Sequence, residues 1–419
     1  MRDAATLSPD ACSAGSPGEV LTVDIAAAKA VAAASPVNGT ETVSLLEATG
    51  RVLAGDIYAD IDLPPFDTSA MDGYAVRCKS LAGPGPWRLQ VCGRIAAGQI
   101  PDDSYQGALR IFTGAMVPQA FDSVVMQEHC GREGDMVVLS ERPRPHRNIR
   151  RAGEDIKRGD ALLRHGALLS SQRLAVLAGQ GIATVHVVRK IRIGLISTGS
   201  ELREPGHPLS PGQIYNSNRF MLHAALAELP WVEVFDFGIV PDRRDALELV
   251  FAEARAGCDA IITTGGVSAG EEDHVTAALS AEGGVLDVLK VAMRPGKPVK
   301  VGRLGSAVFL GLPGNPNAAL VTFRQIALPA LRRLAGLSKT GNSRQAAVAG
   351  FAYQKPLGRT EFVLVRVVGC SEAGQPVLEM LGRGSSASLR SIAEAEGIAL
   401  LPPDRAEIEK GASLTFEPF

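Results

Sequence analysis

The six cysteines, Cys12, Cys78, Cys92, Cys130, Cys258 and Cys370, form no Cys-x-x-Cys pair and follow no regular spacing. That pattern argues against a thiolate metal centre and against a disulfide framework. The seven histidines give no His-x-x-x-His or His-Glu-x-x-His pattern, so oxygen ligands must hold any bound metal, which favours magnesium over zinc. No apolar run reaches the roughly 18 residues that a spanning helix needs. Net charge is -2 with no long basic run, and neither a nucleic-acid partner nor a membrane surface is indicated. The densest cationic stretch, 142–151, reads as a solvated loop. Residues 1–20 are small and polar, without the apolar core of a secretory signal, so a disordered N-terminus and a cytoplasmic protein are expected.

What is present is ordinary globular composition, 46% hydrophobic and 21% charged over 419 residues, with room for about two to four domains. Residues 22–34 are Ala-rich and amphipathic, with Asp24 near the start and Pro36 beyond the end, and predict a helix. Residues 44–53 fit a second helix. From Leu63-Pro64-Pro65 the pattern changes to short apolar runs (74–76, 87–91, 109–112, 123–126, 136–139) separated by Gly, Pro and Asp, as in a small β-rich domain. A helix follows at 171–178. Between 190 and 336 strands and helices alternate, which implies right-handed crossovers and a parallel sheet covered by helices. Such sheets bind ligands beyond the carboxyl ends of their strands. After Gly336 short strands return, suggesting a terminal β-domain.

The strand ends carry the unusual residues. The run Ala307-Val308-Phe309-Leu310 feeds into Gly311-Leu312-Pro313-Gly314-Asn315-Pro316, and helical periodicity resumes from Ala318. Strand, Gly/Pro turn and helix make either an anion site or a structural turn. Gly265-Gly266-Val267-Ser268-Ala269-Gly270 contains neither Gly-Lys-Ser/Thr nor Gly-x-Gly-x-x-Gly. With Glu271, Glu272 and Asp273 it either cradles a phosphate beside a magnesium ion or caps a helix. Glu201 and Asp242 follow neighbouring strands and either join that carboxylate cluster or are solvated acids. Arg294-Pro295-Gly296-Lys297-Pro298 holds two cations on stiff backbone, as an oxyanion clamp or a rigid surface turn. Upstream, 64–75 packs Asp67, Asp72, Phe66 and Tyr74 before a strand, as a β-domain corner or as a means of delivering Asp72 to a cleft.

These segments together resemble the molybdopterin molybdenumtransferases, the MoeA and gephyrin E-domain family. The resemblance rests on residues 47–54, 65–75 with Met71-Asp72-Gly73-Tyr74-Ala75, Thr113-Gly114-Ala115, Gly153-Glu154-Asp155-Ile156, 197–202, 265–273, 295–298 and 312–316, all in the family's order. It implies a multidomain α/β protein and a homodimer whose active site lies at the subunit interface. Its parts would be a linker domain (21–62 and 153–188), an inserted β-rich domain (63–152), a three-layer α/β molybdopterin-binding domain (189–336) and a C-terminal β-barrel (337–419). The implied reaction inserts molybdate into adenylylated molybdopterin with release of AMP, assisted by Mg2+.

By the same resemblance, Asp72, Asp242, Asp273, Glu201 and Lys297 would be catalytic, and Glu201, Asp242 and Asp273 would hold the metal. Ser268, Gly265, Gly266, Gly311, Pro313, Gly314, Asn315 and Pro316 would take the phosphates and the pterin. Arg294 and Lys297, assisted by Arg359 and Ser386, would take molybdate, Pro298 would contact substrate, and Thr113 and Asp155 would approach with Asp72 from the other subunit. A molybdopterin adenylyltransferase and molybdoenzyme chaperones are the protein partners it suggests. A scaffold that keeps the fold without the chemistry, or an adenylyltransferase-like enzyme, are the competing readings. Arg294 stands where the family commonly has Lys, which keeps charge but changes donor geometry. Asn317-Ala318, His274 and Glu396 also depart from the family pattern.

Overall fold

The computed structural model describes residues 20–102, 104–266, 273–382 and 388–419. At its centre is a seven-stranded sheet. Its strands are β1 (Val20–Leu21), β2 (Ile191–Thr198), β3 (Val232–Val240), β4 (Ala260–Thr264), β5 (Val285–Val291), β6 (Pro298–Leu304) and β7 (Ala307–Leu312), in the order β1-β5-β6-β7-β4-β2-β3. Strands β7, β4, β2 and β3 are mutually parallel. The expectation of a wholly parallel sheet is corrected at the other half, where β6 runs antiparallel to both of its neighbours, β5 and β7. The reason is local. Only Gly305 and Ser306 separate β6 from β7, and Gly305 has φ +62°, so the chain turns as a tight hairpin with no length for a crossover helix.

Helices cover both faces: α1 (Val23–Ala33), α2 (Ser217–Ala227), α3 (Arg244–Gly257), α4 (His274–Ala281), α5 (Pro316–Thr322) and α6 (Leu328–Leu334). The period-2 alternation of the strands sorts them. Ile193, Leu195, Ile262, Val308 and Leu310 pack with Ala26 and Ala30 of α1, Leu222 and Leu226 of α2, and Leu331 of α6. Ile196, Ile261 and Phe309 point the other way, onto Leu247 and Phe251 of α3 and Val275 and Leu279 of α4. Phe251 and Phe309 meet edge-to-face, with centroids 5.7 Å apart. Helix α1 forms where the sequence places it. The Thr22 hydroxyl accepts from the Ile25 N–H at 3.3 Å, Asp24 complements the first turn, and Pro36 follows its end. Helices α5 and α6 form one rod joined by a π-helical turn, Phe323–Ala327, just before Pro329, which has no N–H to give the carbonyl four residues back.

The expected helix at 44–53 does not form. Ser44 and Glu47 satisfy each other as at a helix start, the Glu47 carboxylate accepting from the Ser44 N–H and hydroxyl. Gly50 then turns left-handed at φ +70° and donates to Leu169 C=O at 2.7 Å, and Val52 and Leu53 form isolated bridges to Leu168 and Val187. A single capped turn is all that the local signal secures.

The inserted region forms a six-stranded sheet in the order Ser123–Met126, Gly73–Val76, Ala108–Ile111, Trp87–Ile95, Met136–Leu139, Cys130–Glu133. Toward the C-terminus, Thr360–Cys370 pairs with both Pro376–Met380 and Gly397–Leu401. Gln345–Ala349 and Ser413–Pro418 complete the ring, which closes a five-stranded barrel and leaves no open edge. The barrel joins the α/β region directly, because Met293 and Arg294 pair in parallel with Thr360 and Glu361. No helix is long and apolar enough to cross a membrane among the described residues.

Candidate active site

Register levels the strand ends. Ser197 is opposite Thr264, Thr198 opposite Val240, and Thr264 opposite Leu312. The loops that leave β2, β3, β4 and β7 therefore start at one height along the carboxyl edge, where parallel sheets bind ligands. The antiparallel strands add to the same edge. Lys300 pairs with Gly311 and Lys290 with Pro298, which sets Arg294 and Lys297 at the rim beside the loop at 311–316. The structure thus brings Glu201, Asp242, Gly265, Gly266, Asp273, Arg294, Lys297, Pro298, Gly311, Pro313, Gly314, Asn315 and Pro316 to one edge.

The glycines are there for closeness. A Cβ on Gly265 would lie 2.1 Å from Thr198 C=O at a φ of +92°, and one on Gly314 would sit 3.8 Å from the Gly265 Cα. The backbones of three loops thus touch where a ligand would seat. Gly265→Ala should destabilise the fold by more than about 2 kcal/mol and remove ligand binding. Gly283→Ala, also left-handed at φ +77° but facing open space, should cost only about 1–2 kcal/mol; equilibrium unfolding of the two variants checks the contrast. Asn218 of α2 fixes the third loop, its Nδ2 donating to Gly314 C=O at 2.7 Å. Asn315 stands at the N-cap position of α5 and Pro316 is its first residue, where the missing N–H costs nothing.

The acids separate. The Thr198 hydroxyl donates to Asp242 Oδ1 at 3.4 Å, and the Glu201 carboxylate folds over Gly199 so closely that a Cβ there would meet it at 2.7 Å. Asp273 is engaged elsewhere. It caps α4, accepting from the Thr276 N–H at 3.0 Å and hydroxyl at 2.7 Å, and takes the Lys300 ammonium on Oδ1 at 2.6 Å. Burial alone would raise its pKa, but the bonds from Lys300 and Thr276 outweigh that and hold the carboxyl below its ordinary value. Among the described residues no three His, Cys, Asp or Glu side chains gather as a group able to hold a metal. The expected trio of Glu201, Asp242 and Asp273 is therefore not assembled as a metal centre, and the helix-capping alternative for Asp273 is the one observed.

On the cationic side, Arg294 Nη1 donates to Glu361 Oε1 at 3.3 Å, and Glu361, a barrel residue 3% exposed, also accepts from the Tyr353 hydroxyl at 3.1 Å. Burial, then the neighbouring Glu361 carboxylate, push the Tyr353 phenol upward. Lys297 is exposed. Arg359 is exposed on the barrel next to Thr360, whose N–H donates to Ala292 C=O at 3.0 Å, so it adjoins the Arg294 rim. Asp72 and Thr113 pair in the inserted sheet, the Thr113 N–H and hydroxyl donating to Asp72 Oδ1 at 2.8 and 2.7 Å. Those bonds, the backbone one first, lower the Asp72 pKa. Gly73 after it is obligatory, since a Cβ would lie 1.9 Å from Val125 C=O. Asp155 is exposed, its N–H tied to Leu63 C=O at 3.0 Å. No hydrogen bond or ion pair among the described residues joins Asp72, Thr113 or Asp155 to the carboxyl edge. Ser268 and Ser386 lie outside the described residues.

Sequence reading missed Lys300, Asn218, Thr198, Glu361 and Tyr353. The signal for Lys300 was a charge inside the buried run Val299-Lys300-Val301, a position that tolerates an ammonium only with partners. Asp273-His274-Val275-Thr276 likewise carries a helix-start signature.

A seven-stranded α/β domain with a Gly-lined carboxyl edge, docked on a β-barrel, is the architecture of a molybdopterin-binding protein, and residues 194–333 match the family model for a probable molybdopterin binding domain. Residues 21–181 match the MoeA N-terminal region (domains I and II) and 346–419 the MoeA C-terminal region (domain IV). The chain belongs to the MoeA family. It is 39% identical to the molybdopterin molybdenumtransferase of Haemophilus influenzae over 404 residues, covering 96% of this chain and 99% of that protein. Identity to the Nostoc molybdopterin molybdenumtransferase is 36%, covering 89% and 87%. The crystal structure of the molybdopterin biosynthesis MoeA protein from Pyrococcus horikoshii OT3 superposes with a TM-score of 0.80 at 28% identity, covering 96% of this chain and all of that one.

Proposed function

We propose that this protein inserts molybdenum from molybdate into adenylylated molybdopterin and releases AMP. Family membership makes it a molybdotransferase of molybdenum cofactor biosynthesis, and the finer reading adds the adenylylated substrate, Mg2+ and a homodimer. The observation that carries it is the level convergence of the loops at 198–201, 240–242, 264–266 and 311–316. Backbone N–H groups from Gly-lined turns suit phosphate oxygens, and two rim cations suit a second oxyanion.

Magnesium fits Glu201 and Asp242 together with substrate phosphate oxygens, since this ion is held by one or two carboxylates plus phosphates. When bound it would neutralise charge at the phosphoanhydride. The protein's own groups do the rest. The 311–316 loop, braced by Asn218, holds the phosphate of the pterin; Arg294 and Lys297, with Arg359 from the barrel, bind molybdate and offset the negative charge that gathers as AMP departs. Glu361 and Tyr353 orient Arg294, whose planar donors suit a tetrahedral oxyanion differently from lysine.

In the homodimer, Asp72 and Thr113 of one subunit would complete the other's edge. Asp72→Ala and Asp242→Ala should each be inactive, while mixed dimers formed from equal amounts should recover about a quarter of wild-type turnover, because half the dimers carry one intact site of two. Absence of recovery in demonstrably mixed dimers would assign Asp72 and Asp242 to the same site of one subunit. For the reaction itself, purified protein given adenylylated molybdopterin, molybdate and Mg2+ should release AMP and yield cofactor that activates an apo-molybdoenzyme. An intact substrate after prolonged incubation refutes the reading.

A further inference from the structure

Lys300 is a charged group in a site that should not tolerate one. Its side chain is 1% exposed, and an ammonium is costly to bury unless paired and hydrogen-bonded. All three of its donors are used: on Gly266 C=O at 2.6 Å, on the Asp273 carboxylate at 2.6 Å, and on the Thr276 hydroxyl at 2.9 Å. These bonds run from β6 to the end of the β4 loop and to the cap of α4. One side chain therefore ties Gly266 to Asp273, seven positions apart. Asp273 spends its remaining capacity on the Thr276 N–H and hydroxyl. A carboxylate so occupied lacks the open lone pairs that a near-octahedral magnesium shell requires.

We propose that Lys300 is a positioning residue that takes the place of a metal ion at Asp273, supplying a fixed positive charge and holding the Gly266 and Asp273 ends of the loop together. Its consequence for catalysis rests on the reaction proposed above: the metal need of the site is confined to Glu201 and Asp242. The charge replacement itself stands on geometry and is tested without turnover.

Lys300→Met keeps the length of the side chain and removes its charge, which leaves Asp273 with open oxygens beside Gly266 C=O. In chelator its melting temperature should fall by several degrees. Magnesium chloride alone should restore at least about half of that loss, because a bound ion stabilises the folded state by mass action. In Lys300→Met/Asp273→Asn, where both charges are gone, magnesium should restore nothing. Recovery of equal size in the double variant, or none in Lys300→Met, overturns the proposal.

The double variant also guards against a single variant that fails to fold, since removing both members of a buried pair is often tolerated. Its affinity for Mn2+ in the presence of AMP, read by electron paramagnetic resonance, should stay within about twofold of wild type, because Asp273 is not a ligand. A loss of tenfold or more, the scale expected when a metal's immediate surroundings are damaged, would return Asp273 to the metal and refute the replacement. Failure of the proposed reaction would appear separately, as wild-type protein that releases no AMP.

Discussion

Under the proposed reaction, Asp242→Asn should lower the rate of AMP release at least about 100-fold with a much smaller change in substrate affinity, the pattern of a group that acts on developing charge. The substitution is nearly isosteric, and its side-chain oxygen can still accept from the Thr198 hydroxyl that now meets Asp242 Oδ1 at 3.4 Å. Only the charge is lost. Asp242 lies two residues beyond β3, at the height of Thr198, and, unlike Asp273, it takes no buried cation among the described residues. Raising magnesium should recover part of the rate, because a weaker donor still binds the ion at higher concentration. A variant with more than a third of wild-type turnover would remove Asp242 from the mechanism. Asp273→Asn serves as the contrasting case: its defect should be in stability, since the change leaves Lys300 buried and unpaired.

Glu417→Ala should loosen the barrel from the α/β domain by about 2–3 kcal/mol, the cost of leaving the buried Gln325 amide and the half-buried Arg324 guanidinium without their acceptor. The Glu417 side chain is 0% exposed and accepts from Arg324 Nε at 2.8 Å, Gln325 Nε2 at 2.9 Å and Asn342 Nδ2 at 3.0 Å, with Arg344 at 3.6 Å. Arg324 and Gln325 belong to the π-helical turn between α5 and α6, so the last strand of the barrel is held to the rod that begins at Pro316. Crowding has a visible mark nearby: burial first, then Arg324, push the Arg332 pKa down while Glu417 opposes them. Hydrogen exchange in peptides covering 345–419 should rise accordingly. Glu379→Ala, which breaks an exposed pair with Arg366, should change exchange by less than about 1 kcal/mol. Equal effects of the two would deny Glu417 its role. Since Arg294 is held by the barrel through Glu361, Glu417→Ala should also weaken molybdate binding.

Legibility followed the range of the signals. Helix α1 is readable because its cap, its small apolar face and Pro36 lie within fifteen residues, and the strands β2, β4 and β7 because burial on both faces leaves apolar runs. The carboxyl edge followed from that alternation. The tight β6–β7 hairpin escaped notice because Gly305 alone announces it, and 44–53 misled because Ser44 and Glu47 imitate a helix start that Gly50 cancels. The bond of Asp273 to Lys300 is illegible in the sequence because the two are 27 positions apart, on a strand whose neighbours only the sheet reveals. Glu361 and Tyr353 were invisible for the same reason: their contact with Arg294 depends on how the barrel docks.

The most direct test of the account is a crystal structure with adenylylated molybdopterin and magnesium bound. The account predicts phosphate oxygens within hydrogen-bonding distance of backbone N–H groups at Gly266 and Gly314, metal on Asp242 and Glu201, and Lys300 still on Asp273. A ligand seated away from this edge, for instance in the roughly 430 Å³ cavity lined by Met126, Glu128 and Arg142 in the inserted region, would contradict it.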